Sequence, residues 1–576
     1  MPLPANPRVR QWLRVLQREA LSLAIVMVVI ALVWAHHYHL FGIQRLSEPL
    51  EYAGDAWFSA AAVKTAMVGD WVPFLPKRFD SLGAPFPAVW SDFPIPEVLV
   101  FVPVGWLARL VGLFTALNLS YVWAAMAAGV SLYAVARYLR ARREVAVPLA
   151  ILFGLSRFLF HRTLHHYNLI FYWHVPLGLL VAFWAASRKG LTGRRFPVAV
   201  AVALITSLYN PYFVNFFLQG LGLATAARCL KLKSWRAAKP SLLLLGVVLA
   251  GGFLANWDTL TYTLQHGPNP SATARDPADI ERFALKPFEL VFPQVPHVIG
   301  WVNEMARRHA VIIHSEYEYI GLFASLCLLW LLFRTVKSLL EGTVTGEARL
   351  GLLALWLMAF GIVGGMNSIL GAIGIPLFRS SNRASIVIMA IALLFAARRL
   401  TVLTRKLHRG WVLLGAAVVV AFGPYEQIFP KRTEGEIQSA LNQARSDADL
   451  VTRLEARVSP NARIFQLPPV DFPEVSFEPF RPYLHAKHLT FSFGGMKGRP
   501  EARWQFTVAN LPPAEMLRTL EEAGFSAVYL QRNAYPADQL AQAFAALGRT
   551  ERLESPSRDT LVVLLHPSST PKLPTP

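Results

Sequence analysis

Long apolar runs alternate with short polar segments over the first three quarters of the chain. A bilayer core of about 30 Å needs about 20 apolar residues per helical span, and we count eleven runs that predict spans, several of them short. The runs are Ala20–Leu40, Tyr121–Leu139, Ala146–Phe160, Leu169–Ala186, Phe196–Leu208, Phe213–Leu230, Leu242–Trp257, Tyr319–Phe333, Leu350–Met366, Ala384–Ala397 and Trp411–Phe422. The pattern predicts a polytopic α-helical membrane protein.

A twelfth apolar segment, Pro96–Leu117, is interpreted differently. It contains Pro103 and Arg109, and a crossing there would place every later basic loop on the opposite side. We expect a helix that lies at the outer membrane interface.

The pattern changes after residue 430. Thr433–Val458, Leu511–Ala523 and Ala537–Leu547 have helical patterns, and Ala462–Leu467, Ala527–Leu530 and Leu561–Leu565 are typical of strands. Residues 431–566 therefore predict a compact α/β domain that folds as a unit. The glycine-rich stretch 491–499 predicts a surface loop, and the Pro/Ser/Thr-rich tail 567–576 predicts disorder.

Composition agrees with a membrane protein, since 54% of the 576 residues are hydrophobic and only 16% are charged. The net charge of +20 is a topology signal rather than a sign of nucleic-acid binding. Residues 431–576 hold 17 basic and 16 acidic side chains, so almost all the excess lies in the membrane portion. There it concentrates in every second loop: 8–18, 137–143, 188–195, 228–239, 334–349 and 398–409.

The positive-inside rule places these loops in the cytoplasm. Residues 1–19 then form a cytoplasmic tail, and residues 20–430 form the membrane domain, with large outer loops 41–117 and 258–318. The C-terminal domain lies outside, which for a bacterial inner membrane is the periplasm. The two cysteines, Cys229 and Cys327, both fall in apolar runs and predict inert buried thiols.

Polar groups at the outer ends of the spans are the candidates for chemistry, because ionisable groups near the membrane are costly. Asp55, in the first outer loop, is a candidate general base or cation ligand; the alternative is a helix cap. Asp92 has the same ambiguity in a turn. Glu316 and Glu318, before the eighth span, are weaker acidic candidates.

Histidines and amides supply a second group. His165, His166 and Asn168 share one outer turn, and imidazoles there suit a metal, a phosphate or an acidic partner; the alternative is interfacial anchoring. Asn210 and Tyr212 lie in a tight turn that Asn and Pro explain without function. Arg379 and Arg383 lie on the outer side, against the charge rule, where guanidinium groups suit a lipid phosphate; the alternative is snorkelling to headgroups.

This layout resembles the GT-C glycosyltransferases, and within that class the bacterial YfhO-like membrane proteins. The resemblance rests on four short pieces within residues 20–430: Gly54-Asp55, the turn 161–168 before Trp173-His-Val-Pro-Leu177, Asn210-Pro-Tyr-Phe213, and Arg379 with Arg383 before a span.

The resemblance implies transfer of a sugar from a polyprenyl-phosphate donor to an envelope glycan, glycolipid or protein. Asp55 would then be the catalytic base or a metal ligand, Arg379 and Arg383 would hold the lipid phosphate, and the remaining candidates would line the donor and acceptor cavity. His165 and His166 stand where many relatives carry a second acidic residue, so the resemblance leaves open whether a divalent cation, Mg²⁺ or Mn²⁺, takes part. Two other interpretations compete: a non-catalytic scaffold that binds a partner, and a lipid or polysaccharide transporter.

Overall fold

The computed structural model describes residues 7–40, 43–273, 276–309, 318–572 and 574. The portion before residue 430 is helical apart from one small hairpin, β1 (Arg78–Phe79) and β2 (Ala88–Val89). Its helices are α1 (Pro7–His37), α2 (Ile43–Leu46), α3 (Asp55–Val68), α4 (Val98–Val111), α5 (Leu113–Tyr138), α6 (Arg143–Gly154), α7 (Arg157–Arg162), α8 (Val175–Ala186), α9 (Arg195–Ser207), α10 (Pro211–Leu232), α11 (Lys239–Ala255), α12 (Trp257–His266), α13 (Ala278–Arg282), α14 (Pro287–Val291), α15 (Gly300–His309), α16 (Leu322–Leu340), α17 (Gly346–Gly361), α18 (Met366–Ala372), α19 (Ser385–Leu403) and α20 (Arg409–Gln427).

Each of the eleven predicted spans coincides with a helix, and the membrane fold class is confirmed. Seven of these helical segments are long and apolar enough to cross a bilayer, namely those that contain α1, α5, α6 with α7, α10, α11, α16 and α19. The other four are α8, α9, α17 and α20. The first three of them have 12, 13 and 16 residues, which is short for a straight crossing.

Small residues bring the helices close together. A Cβ atom added at Gly129 of α5 or Gly154 of α6 would lie 2.6 Å or 2.5 Å from the side chain of Ile30 in α1. Close backbone approach of this kind is typical of helix packing in membranes. Helix α19 lies inside the bundle, because every residue from Ser385 to Ala397 is buried.

The basic segments of the membrane portion gather at one end of the bundle. Glu19 near the start of α1 pairs with Arg137 and Arg143, at 2.6 Å and 2.7 Å, and Glu347 pairs with Arg334 and Arg399. Segments that the charge rule assigns to one side therefore meet in space.

The C-terminal portion contains a mixed five-stranded sheet in the order β4-β3-β5-β7-β6. Its elements are α21 (Glu434–Glu455), β3 (Arg463–Leu467), α22 (Arg481–His485), β4 (Thr490–Phe491), α23 (Pro500–Ala509), α24 (Pro513–Glu522), β5 (Phe525–Gln531), α25 (Ala537–Ala546), β6 (Arg552–Glu554) and β7 (Thr560–Leu564). Strands β4, β3 and β5 are parallel, while β7 and β6 run antiparallel to their neighbours.

The two faces of this sheet have different neighbours. Alternate residues point to opposite faces of a strand, and Phe465, Val528 and Val563 pack against α24 and α25 in a core of their own. Ile464, Ala527 and Val562 on the other face join the large core that runs into the membrane portion.

The first outer loop extends the sheet beyond β4. The backbone N–H of Phe491 donates to the carbonyl of Ser81. The backbone N–H of Gly83 donates to the carbonyl of Phe493, and that of Ala84 to the carbonyl of Phe491. Trp90 of the same loop is fully buried among Phe79, Phe472 and Phe480, and its Nε1–H donates to the carbonyl of Gly494 at 3.0 Å. The prediction of a surface loop at 491–499 was wrong, because Phe491, Phe493 and Met496 are buried against this loop.

Candidate active site

A cavity of about 280 Å³ lies where the ends of α1 and α7 meet the first outer loop and the start of the C-terminal portion. Its polar lining includes His37, Glu48, Glu51, His161 and His165. Two guanidinium groups, Arg45 and Arg432, also line it. Ile437 and Leu441 of α21 complete the wall, so the membrane and C-terminal portions enclose it together.

Glu51 is the buried carboxylate of this cavity, with a side chain only 2% exposed. It accepts hydrogen bonds from the Leu164 backbone N–H at 2.9 Å and from the Arg432 guanidinium at 2.6 Å. The Nε2 atom of His165 lies 3.8 Å from the other carboxylate oxygen of Glu51, Oε2. Two cationic or polar side chains are thus oriented by one acidic residue.

Asp55 stands beside the cavity as the first residue of α3. Gly54, with φ of 52°, occupies the N-cap position, and no side chain caps the helix, so the cap interpretation of Asp55 is not what the structure displays. Gly54 also lets His165 approach, because a Cβ at that position would lie 3.1 Å from the imidazole. Partial burial raises the pKa of the Asp55 carboxyl; His165 opposes this effect and Glu474 adds to it.

The histidine turn is split between two environments. His161 stacks on the ring of Phe429 with centroids 5.7 Å apart, and His165 faces Glu51. His166 is half-buried, and its backbone N–H donates to the carbonyl of Arg162. His166 does not line the cavity.

Asn168 and Asn210 meet at a different carboxylate. Their side-chain amides donate to the same oxygen of Glu97, Oε1, at 2.7 Å and 3.1 Å. Burial raises the pKa of the Glu97 carboxyl, and the hydrogen bonds from its own backbone and from the two amides oppose this. Asn210 also caps α10, because its Oδ1 accepts from the Tyr212 N–H at 3.1 Å.

Tyr212 connects this amide pair to the arginines. Its hydroxyl accepts a hydrogen bond from the Ser380 backbone N–H at 3.0 Å, and the Arg383 guanidinium lies over its ring, 4.2 Å from the centroid. Arg379 forms an ion pair with Asp279 at 2.9 Å. Contacts therefore run without a break from Arg383 through Tyr212, Asn210 and Glu97 to Asn168, three residues from His165.

The other acidic candidates have structural partners. Asp92 accepts two hydrogen bonds from Arg499, at 2.6 Å and 2.7 Å, and one from Asn269 at 3.0 Å. Glu318 is buried and accepts from the Lys286 backbone N–H at 2.8 Å. Glu316 lies outside the described residues.

The donor set does not match a metal centre. Within the described ranges, no three His, Cys, Asp or Glu side chains are grouped so as to hold an ion. Glu51, the carboxylate inside the cavity, already binds a guanidinium and a backbone N–H. We therefore derive no step through a metal from these residues.

Sequence reasoning missed Glu51, Glu97 and Arg432. Glu51 and Glu97 are acidic residues within the first outer loop, so a search of that loop for every carboxylate would have found both. Arg432 carried no such signal, since it lies among the charged residues at the start of α21 and 381 positions from its partner Glu51.

No protein-family model and no curated protein matches the sequence. Solved structures similar to this chain include the Archaeoglobus fulgidus oligosaccharyltransferase in complex with Zn and sulfate, with 12% identity, a TM-score of 0.42, and coverage of 88% of this chain and 68% of that one. Another is ArnT from Cupriavidus metallidurans bound to undecaprenyl phosphate, with 14% identity, a TM-score of 0.47, and coverage of 97% and 99%.

Proposed function

We propose that this chain is a membrane glycosyltransferase of the GT-C type. It transfers a sugar from a polyprenyl-phosphate-linked donor to an acceptor at the outer face of a bacterial inner membrane. The observation that carries the proposal is the pair of carboxylates around His165. Glu51 is buried in the wall of the cavity that presents Arg45 and Arg432, and Asp55 stands outside that lining, next to His165 at the start of α3. The YfhO-like assignment within the class remains a prediction.

Asp55 is the general base in this proposal. Its raised pKa makes the carboxylate a better proton acceptor than an ordinary surface aspartate. It takes the proton of an acceptor hydroxyl as that oxygen bonds to the anomeric carbon of the donor sugar. The bond from that carbon to the phosphate oxygen breaks, and the lipid phosphate leaves with the electron pair.

Glu51 has a positioning role. It holds Arg432 at 2.6 Å and faces the His165 imidazole, so it positions a cation and a hydrogen-bonding ring in the wall of the cavity. Preorganised groups of this kind stabilise charge that develops in a transition state without reorganisation during the reaction.

Arg379 and Arg383 hold the lipid phosphate in this scheme. The support is the unbroken series of contacts from Arg383 through Tyr212 and Asn210 to the turn that carries His165. The lipid phosphate would replace the Asp279 carboxylate as the partner of the Arg379 guanidinium.

The test is transfer of labelled sugar from a polyprenyl-phosphate donor in membranes. Asp55→Asn should lose about 10²–10⁴-fold in rate, because the base is gone, while the thermal unfolding midpoint of the purified protein should be unchanged. Arg379→Ala should chiefly raise the KM for the donor. Near-full activity of Asp55→Asn contradicts the assignment of the base, and absence of transfer by the wild type from every polyprenyl donor favours the scaffold.

A further inference from the structure

On the side of α21 the cavity has two neighbouring depressions. Arg45 and Glu48 line both the cavity and a shallow polar depression beside it. Gln438 and Arg445 line both that depression and a longer open groove. These shared residues place the three depressions next to one another around α21, and two of the shared residues, Arg445 and Glu48, form an ion pair.

The longer groove, named here the α21 groove, is formed by amide and hydroxyl side chains: Gln438, Ser439, Asn442, Gln443, Ser446 and Ser557. It extends along α21 from Gly435 to Asp449. Fourteen residues of helix rise about 21 Å, a length that suits several units of a polymer rather than a single small molecule.

Part of this lining is held in place by bonds within the protein. The Gln443 amide donates to Asp447 at 3.1 Å and to Asp559 at 2.9 Å. The Ser446 and Ser557 hydroxyls lie 2.8 Å apart. Asn442 and Ser439 are exposed at the rim. The groove therefore combines a fixed hydrogen-bonding floor with exposed side chains at its rim, among them the charged Arg445 and Asp449.

The chemistry of the lining discriminates among acceptors. A lipid tail would need apolar walls, and Pro556 is the one apolar side chain among the residues that line the groove. A peptide that added to a sheet would need an unpaired strand edge, and the lining consists of α21 and a turn. A polyanion would need an excess of cations, whereas Arg45 and Arg445 are offset by Glu48, Glu434 and Asp449.

We infer that the α21 groove binds the acceptor as a neutral, hydroxyl-rich glycan chain whose end enters the cavity beside Asp55. The inference rests on the proposed glycosyl transfer and specifies its acceptor class. Amide and hydroxyl side chains both donate and accept hydrogen bonds, as sugar hydroxyls do, so the groove and the glycan match group for group.

The experiment measures binding rather than turnover. The full-length protein in detergent micelles is applied to an array of neutral oligosaccharides, from disaccharides to hexasaccharides, beside acidic oligosaccharides and peptides. Wild type should bind neutral glycans, and longer ones more tightly. Asn442→Trp should weaken this binding about tenfold or more, because the indole fills the groove and removes hydrogen bonds.

Two further variants separate the possible failures. Gln542→Trp places the same ring at an exposed position of α25 and should bind like wild type. Asp55→Asn should bind neutral glycans normally while it fails in transfer. Retained binding by Asn442→Trp, or binding of wild type only to peptides or acidic glycans, overturns the acceptor assignment. Glycan binding without any transfer by the wild type overturns the proposed reaction and leaves the groove assignment standing.

Discussion

At the scale of single residues, the Arg499 guanidinium joins three separate parts of the chain. It forms a fork with Asp92 of the first outer loop, and it donates to the carbonyls of His266 and Gly267 in the second. The Asp92 side chain is 2% exposed. Asp92, a candidate for chemistry on sequence grounds, thus has a structural explanation.

We predict that Asp92→Asn lowers the free energy of unfolding by about 2 kcal/mol, because the partly buried Arg499 guanidinium loses its charge-assisted hydrogen bonds to the carboxylate. The measurement is thermal unfolding of the purified full-length protein by intrinsic fluorescence. Asp80→Asn is the matched control: its ion pair with Arg78 is highly exposed, so the change should be below about 1 kcal/mol. If Asp92→Asn kept its stability and lost sugar transfer, Asp92 would instead be a residue that takes part in the reaction.

Lys64 gives a prediction about pH. Its buried amine donates to the carbonyls of Tyr483 and Ala486 in the C-terminal portion. Burial lowers the pKa of this amine to about 7 from 10.5, with a small opposing effect of Glu455. Between these two values the unfolded chain holds one proton more than the folded chain, so the free energy of unfolding should rise as the pH increases.

The measurement compares the unfolding midpoints of wild type and Lys64→Met from about pH 7 to about pH 10, the window set by the pKa shift. The wild type should gain stability relative to the variant across this window, because methionine cannot titrate. A constant difference between the two proteins would mean that Lys64 stays charged in the folded state.

The candidate site illustrates what a sequence can and cannot reveal at this scale. Asp55 and His165 were predicted individually, because each lies at the outer end of the membrane portion, where ionisable groups are costly. Their common neighbour Glu51 was not, because its partners Leu164 and Arg432 are 113 and 381 positions away. No local pattern records which of two nearby carboxylates becomes buried.

At the scale of elements, periodicity predicted the strands that have several residues. Strands β3, β5 and β7 lie within or close to the predicted segments, and α21, α24 and α25 likewise. Strands β4 and β6 have two and three residues, too few for an alternating pattern. The segment 491–499 was misjudged because its glycines favour a turn, whereas its aromatic side chains are buried by a loop 400 residues earlier in the chain.

Trp90 offers a test of this contact between elements. Trp90→Ala should cost about 3–5 kcal/mol, because it removes a fully buried indole and leaves a cavity. Trp106→Ala is the matched control, since that indole is 53% exposed. The difference between the two unfolding midpoints is the measurement, and equal midpoints would mean that the first loop does not brace the sheet.

At the scale of the whole molecule, the basic segments and the cavity lie at different ends. Glu19, Arg137 and Arg143 meet where α1 begins its span, and His37, at the other end of α1, lines the cavity. The positive-inside rule predicts an orientation in which the cavity and the sheet lie outside.

This orientation predicts the behaviour of a reporter enzyme that is active only in the cytoplasm. Fused after Pro576 it should be silent, and inserted after Gly342, in the turn between α16 and α17, it should be active. The pair of fusions controls for expression. Activity of the C-terminal fusion would reverse the topology and remove the outer-face assignment of the site.

The sharing of one sheet between residues 81–84 and β4 has a consequence for biosynthesis. The ribosome makes the first outer loop long before it makes Phe491, and every membrane helix after α1 is synthesised in between. Residues 81–84 therefore stay unpaired until β4 has been synthesised. In any chain that has lost the loop, the β4 edge of the C-terminal sheet is unpaired. An unpaired strand edge favours association with other chains. Truncated products should therefore aggregate, or be degraded by envelope proteases, faster than the full-length protein.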